Sequence, residues 1–201
     1  MMKHKLKIYR SKRDFGKTTE PAGDRCKHSG GRRFVIQKHA ASSLHYDFRL
    51  EVGGVLLSWA VPKGLSTDPR DKRLAIQTEE HPLDYVDFEG VIPEGEYGAG
   101  TVLVWDNGRY RNLRAHKGRN SRSMEHSLED GLIEVWLEGQ KLSGGYALKR
   151  IEGGNKPRWL IIKMDDEHAD ARRRPGSTEP LSVKSGRDLD DIAAQEAEPD
   201  V

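Results

Sequence analysis

The sequence predicts an all-β fold, a small closed β-barrel of short antiparallel strands with a basic N-terminal arm and a mobile C-terminal tail. Three observations carry that prediction. Short runs rich in β-branched and aromatic residues recur between glycine-marked turns. His45 to Val52 alternates strictly between polar and apolar residues, the pattern of a half-buried strand. At 201 residues and 35% hydrophobic content, the chain can bury one core. The expected boundaries are an arm over 1–33, a barrel over 34–165 and a flexible, acidic-ended tail over 166–201.

The arm carries eleven Lys/Arg and three acids between Met1 and Arg33, with Tyr9 and Phe15 as apolar residues able to dock it. Such an arm is either a solvated terminus or a phosphate-seeking segment for nucleic acid. From Phe34 the strand signals begin. In HYDFRLEV, side chains alternate faces, so His45, Asp47, Arg49 and Glu51 point one way and Tyr46, Phe48, Leu50 and Val52 point to the core. Gly53-Gly54 marks a turn, and Val55 to Val61 follows as the second strand of a hairpin. Arg73 to His81 alternates again, placing Arg73, Ala75, Gln77, Glu79 and His81 on one expected face, until Pro82 ends the run. Thr101 to Trp105 and Arg109 to Arg111 flank Asn107-Gly108, a strong hairpin signal. Residues 114–130 read as an exposed loop. Leu132 to Leu137, Tyr146 to Arg150 and Trp159 to Met164 complete the strands, and Asp188 to Ala194 reads as a short helical turn in the tail.

Cys26 is the one cysteine, which excludes an intrachain disulfide or a cysteine-based zinc finger and points to a reducing compartment. No apolar run approaches the ~18 residues of a membrane span. The expectation is a cytoplasmic monomer with no membrane association. The glycine- and acid-rich stretch FEGVIPEGEYGAG lacks the Gly-Lys-Ser/Thr of a phosphate loop, and its glutamates would repel phosphate.

The candidate chemistry lies between Phe34 and Leu50. Residues two apart on a strand are about 6.5–7 Å apart, so His45 and Asp47 can bend toward one ion. His39 offers a third ligand, because Ala40, Ala41, Ser42 and Ser43 allow a tight turn after it. Two imidazoles and a carboxylate suit Mn²⁺, Zn²⁺ or Fe²⁺. Arg49, Lys63 and Arg73 could hold an anion beside the metal, with His81 as the acid, which describes a phosphoesterase. His45-x-Asp47 with a distant His81 also has the form of a non-haem iron oxygenase triad. The third reading is a non-catalytic nucleic-acid-binding barrel with structural histidines.

The stretches FVIQKHAASSLHYDFRLEVGGVLLSWAVPKGLS and RLAIQTEEHPLDYVDFEGVIPEGEYGAGTVLVWDNGRY resemble the 3′-phosphoesterase domain of bacterial DNA ligase D and its stand-alone relatives. YRSKRDFGKTTEP is similar to that family's leader, and LSVKSGRDLDDIA to the segment that follows the domain in multidomain ligases. The resemblance implies a manganese-dependent enzyme that removes a 3′-terminal ribonucleoside and then the exposed 3′-phosphate, leaving a 3′-hydroxyl on DNA or RNA–DNA primer-templates for repair by end joining. It implies His39, His45 and Asp47 as metal ligands, with Arg49 and His81 at the scissile phosphate. Gln37, Lys63, Arg73, Glu79 and Tyr85 match other active-site positions, and Arg13, Asp14 and Glu20 match the functional arm, so the arm is expected to fold over the site. Ser43 and Glu80 depart from residues common in the family, which bears on substrate preference. A separate DNA ligase is the expected partner.

Overall fold

The computed structural model describes residues 5–23, 31–115, 118 and 121–197; Cys26 lies outside them. Nine strands form one antiparallel sheet: β1 (Arg33–Ala40), β2 (Leu44–Val52), β3 (Val55–Val61), β4 (Arg73–Gln77), β5 (Gly90–Ile92), β6 (Gly100–Asn112), β7 (Leu132–Gly139), β8 (Ser143–Glu152) and β9 (Arg158–Lys163). Their order is β1-β2-β3-β4-β9-β8-β7-β6-β5, and β1 also pairs with β6. That pairing closes eight strands into a barrel, with β5 as a ninth strand on the flank of β6. Short helices decorate it: α1 (Lys7–Ser11), α2 (Met124–Glu129), α3 (Pro175–Thr178) and α4 (Leu189–Ala197).

The inward residues fill the barrel. Phe34, Ile36, Phe48, Leu50, Trp59, Trp105, Tyr146 and Trp159 belong to one buried cluster. The alternation in β2 works as expected on this side, with Tyr46, Phe48, Leu50 and Val52 all in that core. Its polar face is not left to solvent. A second apolar cluster, including Tyr9, Val35, Leu56, Leu83, Tyr85, Phe88 and Val104, covers part of the barrel's outer surface. It is built from the outward residues of the strands, the arm and a 3₁₀ turn, Leu83–Asp87. Asp47 and Arg49 are therefore buried as well.

Several expectations are corrected. The Asn107-Gly108 hairpin does not form, and β6 runs straight through it. Gly108 serves a close strand approach instead, since a Cβ there would lie 2.1 Å from the Glu138 carbonyl oxygen. Between Ile36 and Gln37 the β1–β6 register shifts, leaving Trp105 as the extra residue of a bulge. The strand expected over 73–81 stops at Gln77. Ala75 faces the barrel core, while His81 forms an isolated bridge with Leu56. The single face foreseen for Arg73 through His81 is split, because two-residue alternation holds only while pairing continues. Within the stretch expected to be loop, Ser123 caps α2 and Met124 packs into the core.

The segment beyond Asp165 is not a mobile tail as far as Ala197. The Val183 amide donates to the Val104 carbonyl, and Trp105 Nε1–H donates to the Glu179 carbonyl at 2.7 Å. Glu89 accepts from Ser182, Ser185 and Arg187. Ile192 of α4 is 1% exposed within the main core. A segment poor in apolar residues is thus held by backbone pairing, the hydrogen bonds to Glu89, and Val183, Leu189 and Ile192 packed on the cores.

Candidate metal centre and active site

The site lies on the outer face of the barrel, where β1, β2 and β3 adjoin. The turn at Ala41–Ser43 sets the β1–β2 register so that His39 faces His45 and Gln37 faces Asp47. Across β2–β3, Arg49 faces Ser58 and Asp47 faces Ala60. Arg13 from the arm, Glu79, His81, Tyr85 and Tyr97 complete a cavity of about 270 Å³.

His39, His45 and Asp47 each direct one ligating atom into a common space, with those atoms within 4.8 Å of one another. Their orientation is fixed from behind. His39 Nε2–H donates to the Gly98 carbonyl at 2.9 Å, which leaves Nδ1 as a lone-pair donor 3.5 Å from Asp47 Oδ2. His45 Nδ1–H donates to the Ser43 carbonyl at 3.0 Å, which leaves Nε2 facing Asp47 Oδ1 at 3.7 Å. Carbonyl acceptors that set the tautomer of each imidazole are the usual support of metal-bound histidine. Burial alone would raise the Asp47 carboxyl, but the Arg49 guanidinium, the strongest opposing influence, holds the group well below the usual carboxylate range. An ionised carboxylate and two neutral imidazole lone pairs fit a divalent cation of borderline softness.

Arg49 is buried and held on three sides. It donates from Nε to Gln37 Oε1 at 2.7 Å, from Nη1 to Ser58 Oγ at 2.9 Å and from Nη2 to Asp47 Oδ2 at 3.2 Å, above the Tyr85 ring. Gln37 is itself anchored by donating to the Tyr85 and Phe88 carbonyls. His81 donates from Nδ1 to the Glu79 carbonyl at 2.9 Å, leaving Nε2 as its working atom, 3.4 Å from Arg13 Nη2. Burial first, then the Arg49 and Arg13 charges, keep this imidazole neutral well below its ordinary titration range. The Arg13 guanidinium beside Nε2 also removes His81 from a metal triad with His45 and Asp47. The set of His45, Asp47 and His81 read as an oxygenase triad is not formed; His39 stands where His81 was expected.

The arm joins the site through Arg13, which pairs with Glu20 at 2.9 Å and Glu79 at 3.3 Å and lies over the Tyr9 ring. Glu20 also accepts from the Tyr85 hydroxyl at 2.8 Å and from Thr18. Burial, followed by the Glu20 charge, drives the Tyr85 phenol well above its ordinary range, so it is a donor throughout. Asp14 stays outside, capping the Gly16 amide in the arm's turn.

Lys63 and Arg73 do not converge on this cavity. Both line a separate basic cavity of about 200 Å³ with Tyr46, Trp105, Arg173 and Arg174. Arg73 pairs there with Asp71 at 2.7 Å. Arg73 shares the inward face of β4 with Ala75, and β4 ends at Gln77 before Glu79 and His81, so the run no longer presents one face. Ser58 and Gly98 are supporting residues that sequence reading passed over. A lone serine opposite Arg49 within LLSWAV was a legible signal, whereas a backbone carbonyl at Gly98 leaves none.

Residues 37–150 match the family described as DNA Ligase D 3′-phosphoesterase domain. The chain is 48% identical over 167 residues to the Multifunctional non-homologous end joining protein LigD of Pseudomonas aeruginosa, covering 82% of this chain and 19% of that protein. It is 42% identical over 183 residues to the protein of the same name from Mycolicibacterium smegmatis, covering 90% and 23%. With the Multifunctional non-homologous end joining DNA repair protein LigD of Mycobacterium tuberculosis it shares 45% identity over 164 residues, covering 81% and 20%. The chain thus spans about a fifth of the length of these relatives. By the matched domain and by this extent of identity, the chain belongs to the DNA ligase D 3′-phosphoesterase domain family.

Proposed function

We propose that this protein is a metal-dependent phosphoesterase that heals DNA 3′ ends for end joining, first removing a 3′-terminal ribonucleoside and then the 3′-phosphate. The observation that carries the reading is the adjacency, in one cavity, of a pre-oriented His39–His45–Asp47 set and a buried Arg49 whose charge is only partly met by Asp47. A cation held there, Mn²⁺ in the family's chemistry with Zn²⁺ also compatible, would neutralise a non-bridging phosphate oxygen.

The chain's own residues supply the rest. Arg49 faces the same oxygens and is held rigid by Gln37 and Ser58, so it need not reorganise as charge develops. In the first reaction water adds to phosphorus, the bond to the leaving nucleoside's 5′-oxygen breaks, and that oxygen takes a proton. In the second, water again adds to phosphorus, the bond to the 3′-oxygen breaks and that oxygen takes a proton, releasing inorganic phosphate and a 3′-hydroxyl. His81 Nε2, once the negative charge of a bound phosphate draws a proton onto it, is the group placed to contact the phosphate or carry that proton, with Glu79 and Arg13 orienting it. Tyr85 and Glu20 tie the arm to this machinery. Arg73 and Lys63, apart from the metal cavity, suit a neighbouring phosphate of the strand better than the scissile one. The 3′-hydroxyl produced is what a ligase consumes, and a separate DNA ligase acting in the cytoplasm is the fitting partner. Among the described residues no helix is long and apolar enough to cross a membrane.

The test uses a 5′-labelled primer–template ending in one 3′-ribonucleotide, with Mn²⁺, Zn²⁺, Mg²⁺ or chelator. Shortening to a 3′-phosphate and then to a 3′-hydroxyl, abolished in a folded His45→Ala variant, is the expected result. No cleavage with any metal, together with retention of the strand in a low-salt shift assay, would refute catalysis in favour of binding.

A further inference from the structure

A second groove opens beside the metal cavity. It has a volume of about 320 Å³ and shares Thr78, Glu79 and Tyr97 with that cavity, so the two adjoin. Its apolar lining comes from three places: Ile8 on α1, Ile76 on β4, and Pro157 just before β9. Tyr97 is 47% exposed and Ile8 is 55% exposed, and both line this one groove. Tyr97 is nevertheless held in place. Lys12 donates to its hydroxyl at 3.1 Å and lies 4.4 Å from its ring centre, and the next residue, Gly98, receives His39 Nε2–H. An exposed aromatic ring is thereby positioned on the same short loop that orients a metal ligand.

We propose that this groove receives the nucleobase of the leaving 3′-terminal nucleoside, stacked on Tyr97. The inference rests on the phosphoesterase reading and adds the site for its leaving group. Three features select a base over a phosphate. Tyr97, Ile8, Ile76 and Pro157 give it an aromatic and aliphatic surface, beside the neutral polar Gln77, Thr78 and Asn155. Glu79 and Glu80 balance Lys12 and Lys156 in the groove, and Lys12 is already paired with Glu79 at 3.0 Å, so an anion meets no net attraction there. The groove also begins where the cavity of His39, His45 and Asp47 ends, on the side of Glu79, so a nucleoside linked to a phosphate in that cavity reaches it directly. Stacking on an aromatic ring is sequence-tolerant because every base presents a π face, so the groove accepts any of the four. Once the bond to its 5′-oxygen breaks, the nucleoside is free to leave through the open groove, and the 3′-phosphate remains by Arg49 for the second reaction.

The experiment compares two primer–templates that differ only at the 3′-terminal residue, one bearing a base and one abasic, and reads the ratio of their kcat/KM values. Wild type is expected to favour the base-bearing end by about 5- to 150-fold, the range that base–aromatic stacking supports. Tyr97→Phe keeps that ratio, and Tyr97→Ala brings it to within about twofold of one. Ile8→Ser, at an exposed position where folding is not at stake, lowers the ratio from another part of the groove and serves even if Tyr97→Ala turns over slowly. Equal cleavage of both ends by wild type, or an undiminished ratio in Tyr97→Ala and Ile8→Ser, overturns the inference alone. Failure to cleave either end or a 3′-phosphate strand with any metal overturns it together with the phosphoesterase reading.

Discussion

Replacing Arg13 with methionine should release the N-terminal arm while leaving the barrel intact. The Arg13 and Glu20 side chains are 4% and 0% exposed and pair at 2.9 Å. Arg13 also donates to Glu79 at 3.3 Å and to the Tyr9 carbonyl at 3.2 Å. Methionine restores much of the volume but none of these bonds, so the Glu20 carboxylate keeps Tyr85 and Thr18 as donors and loses its countercharge. Breaking one side of a buried pair costs about 3–5 kcal/mol. The arm meets that cost by undocking, because its contacts with the barrel are few beside the strand ladder. Exchange of the Arg10, Lys17 and Thr18 amides, which are hydrogen-bonded within the arm, should then accelerate by about 10²- to 10⁴-fold, since each 1.4 kcal/mol is a factor of ten. The strand amides and the denaturant midpoint of the barrel should be little changed. Adding Glu20→Gln removes the stranded charge but keeps an acceptor for Tyr85, and should recover about 1–3 kcal/mol of the loss, a coupling expected of contacting residues. Unchanged arm exchange in Arg13→Met, or no recovery in the double variant, would refute the claim that this ion pair holds the arm down.

Three further outcomes follow from the packing. His81 has its folded pKa lowered, chiefly by burial, so the unfolded chain takes up a proton first, and stability should fall as pH drops below about 6.5 by up to ~1.4 kcal/mol per unit. Urea midpoints of wild type and His81→Gln at pH 7.5 and 5.5 check this, the variant showing the shallower decline. Gly108→Ala places a Cβ against the Glu138 carbonyl, a backbone atom with no freedom to yield, and should cost at least about 1–3 kcal/mol in urea unfolding. Ile192→Ala should cost about 2–5 kcal/mol in the same assay, whereas a tail that only trails in solvent would cost nothing.

The strands were legible where a local rule and the tertiary environment agree. Val55 to Val61 is one such strand, and β2 shows the inward half of its alternation as read. The candidate metal set was legible for a related reason: His45-x-Asp47 and a small-residue turn after His39 are local features, and strand pairing across that turn brings the three together by register. Reading failed where a glycine or a polar residue answers to a distant neighbour. Asn107-Gly108 has the composition of a turn, yet Gly108 is there because β7 crosses closely at Gly139. The acidic, polar end of the chain looks unable to bury itself, yet it docks through backbone bonds that composition does not encode.

The sequence by itself determined the fold class and the inward face of β2 and put His39, His45 and Asp47 forward as candidate ligands, because two-residue alternation and short turns act over a few residues. Only the tertiary structure decided that the polar face is roofed, that Arg13 and Glu20 reach Tyr85, and that Arg73 turns away from the metal cavity toward Arg173 and Arg174. Those outcomes depend on where β4 stops pairing and on how the barrel closes between β1 and β6, and both are settled by contacts between segments far apart in the chain.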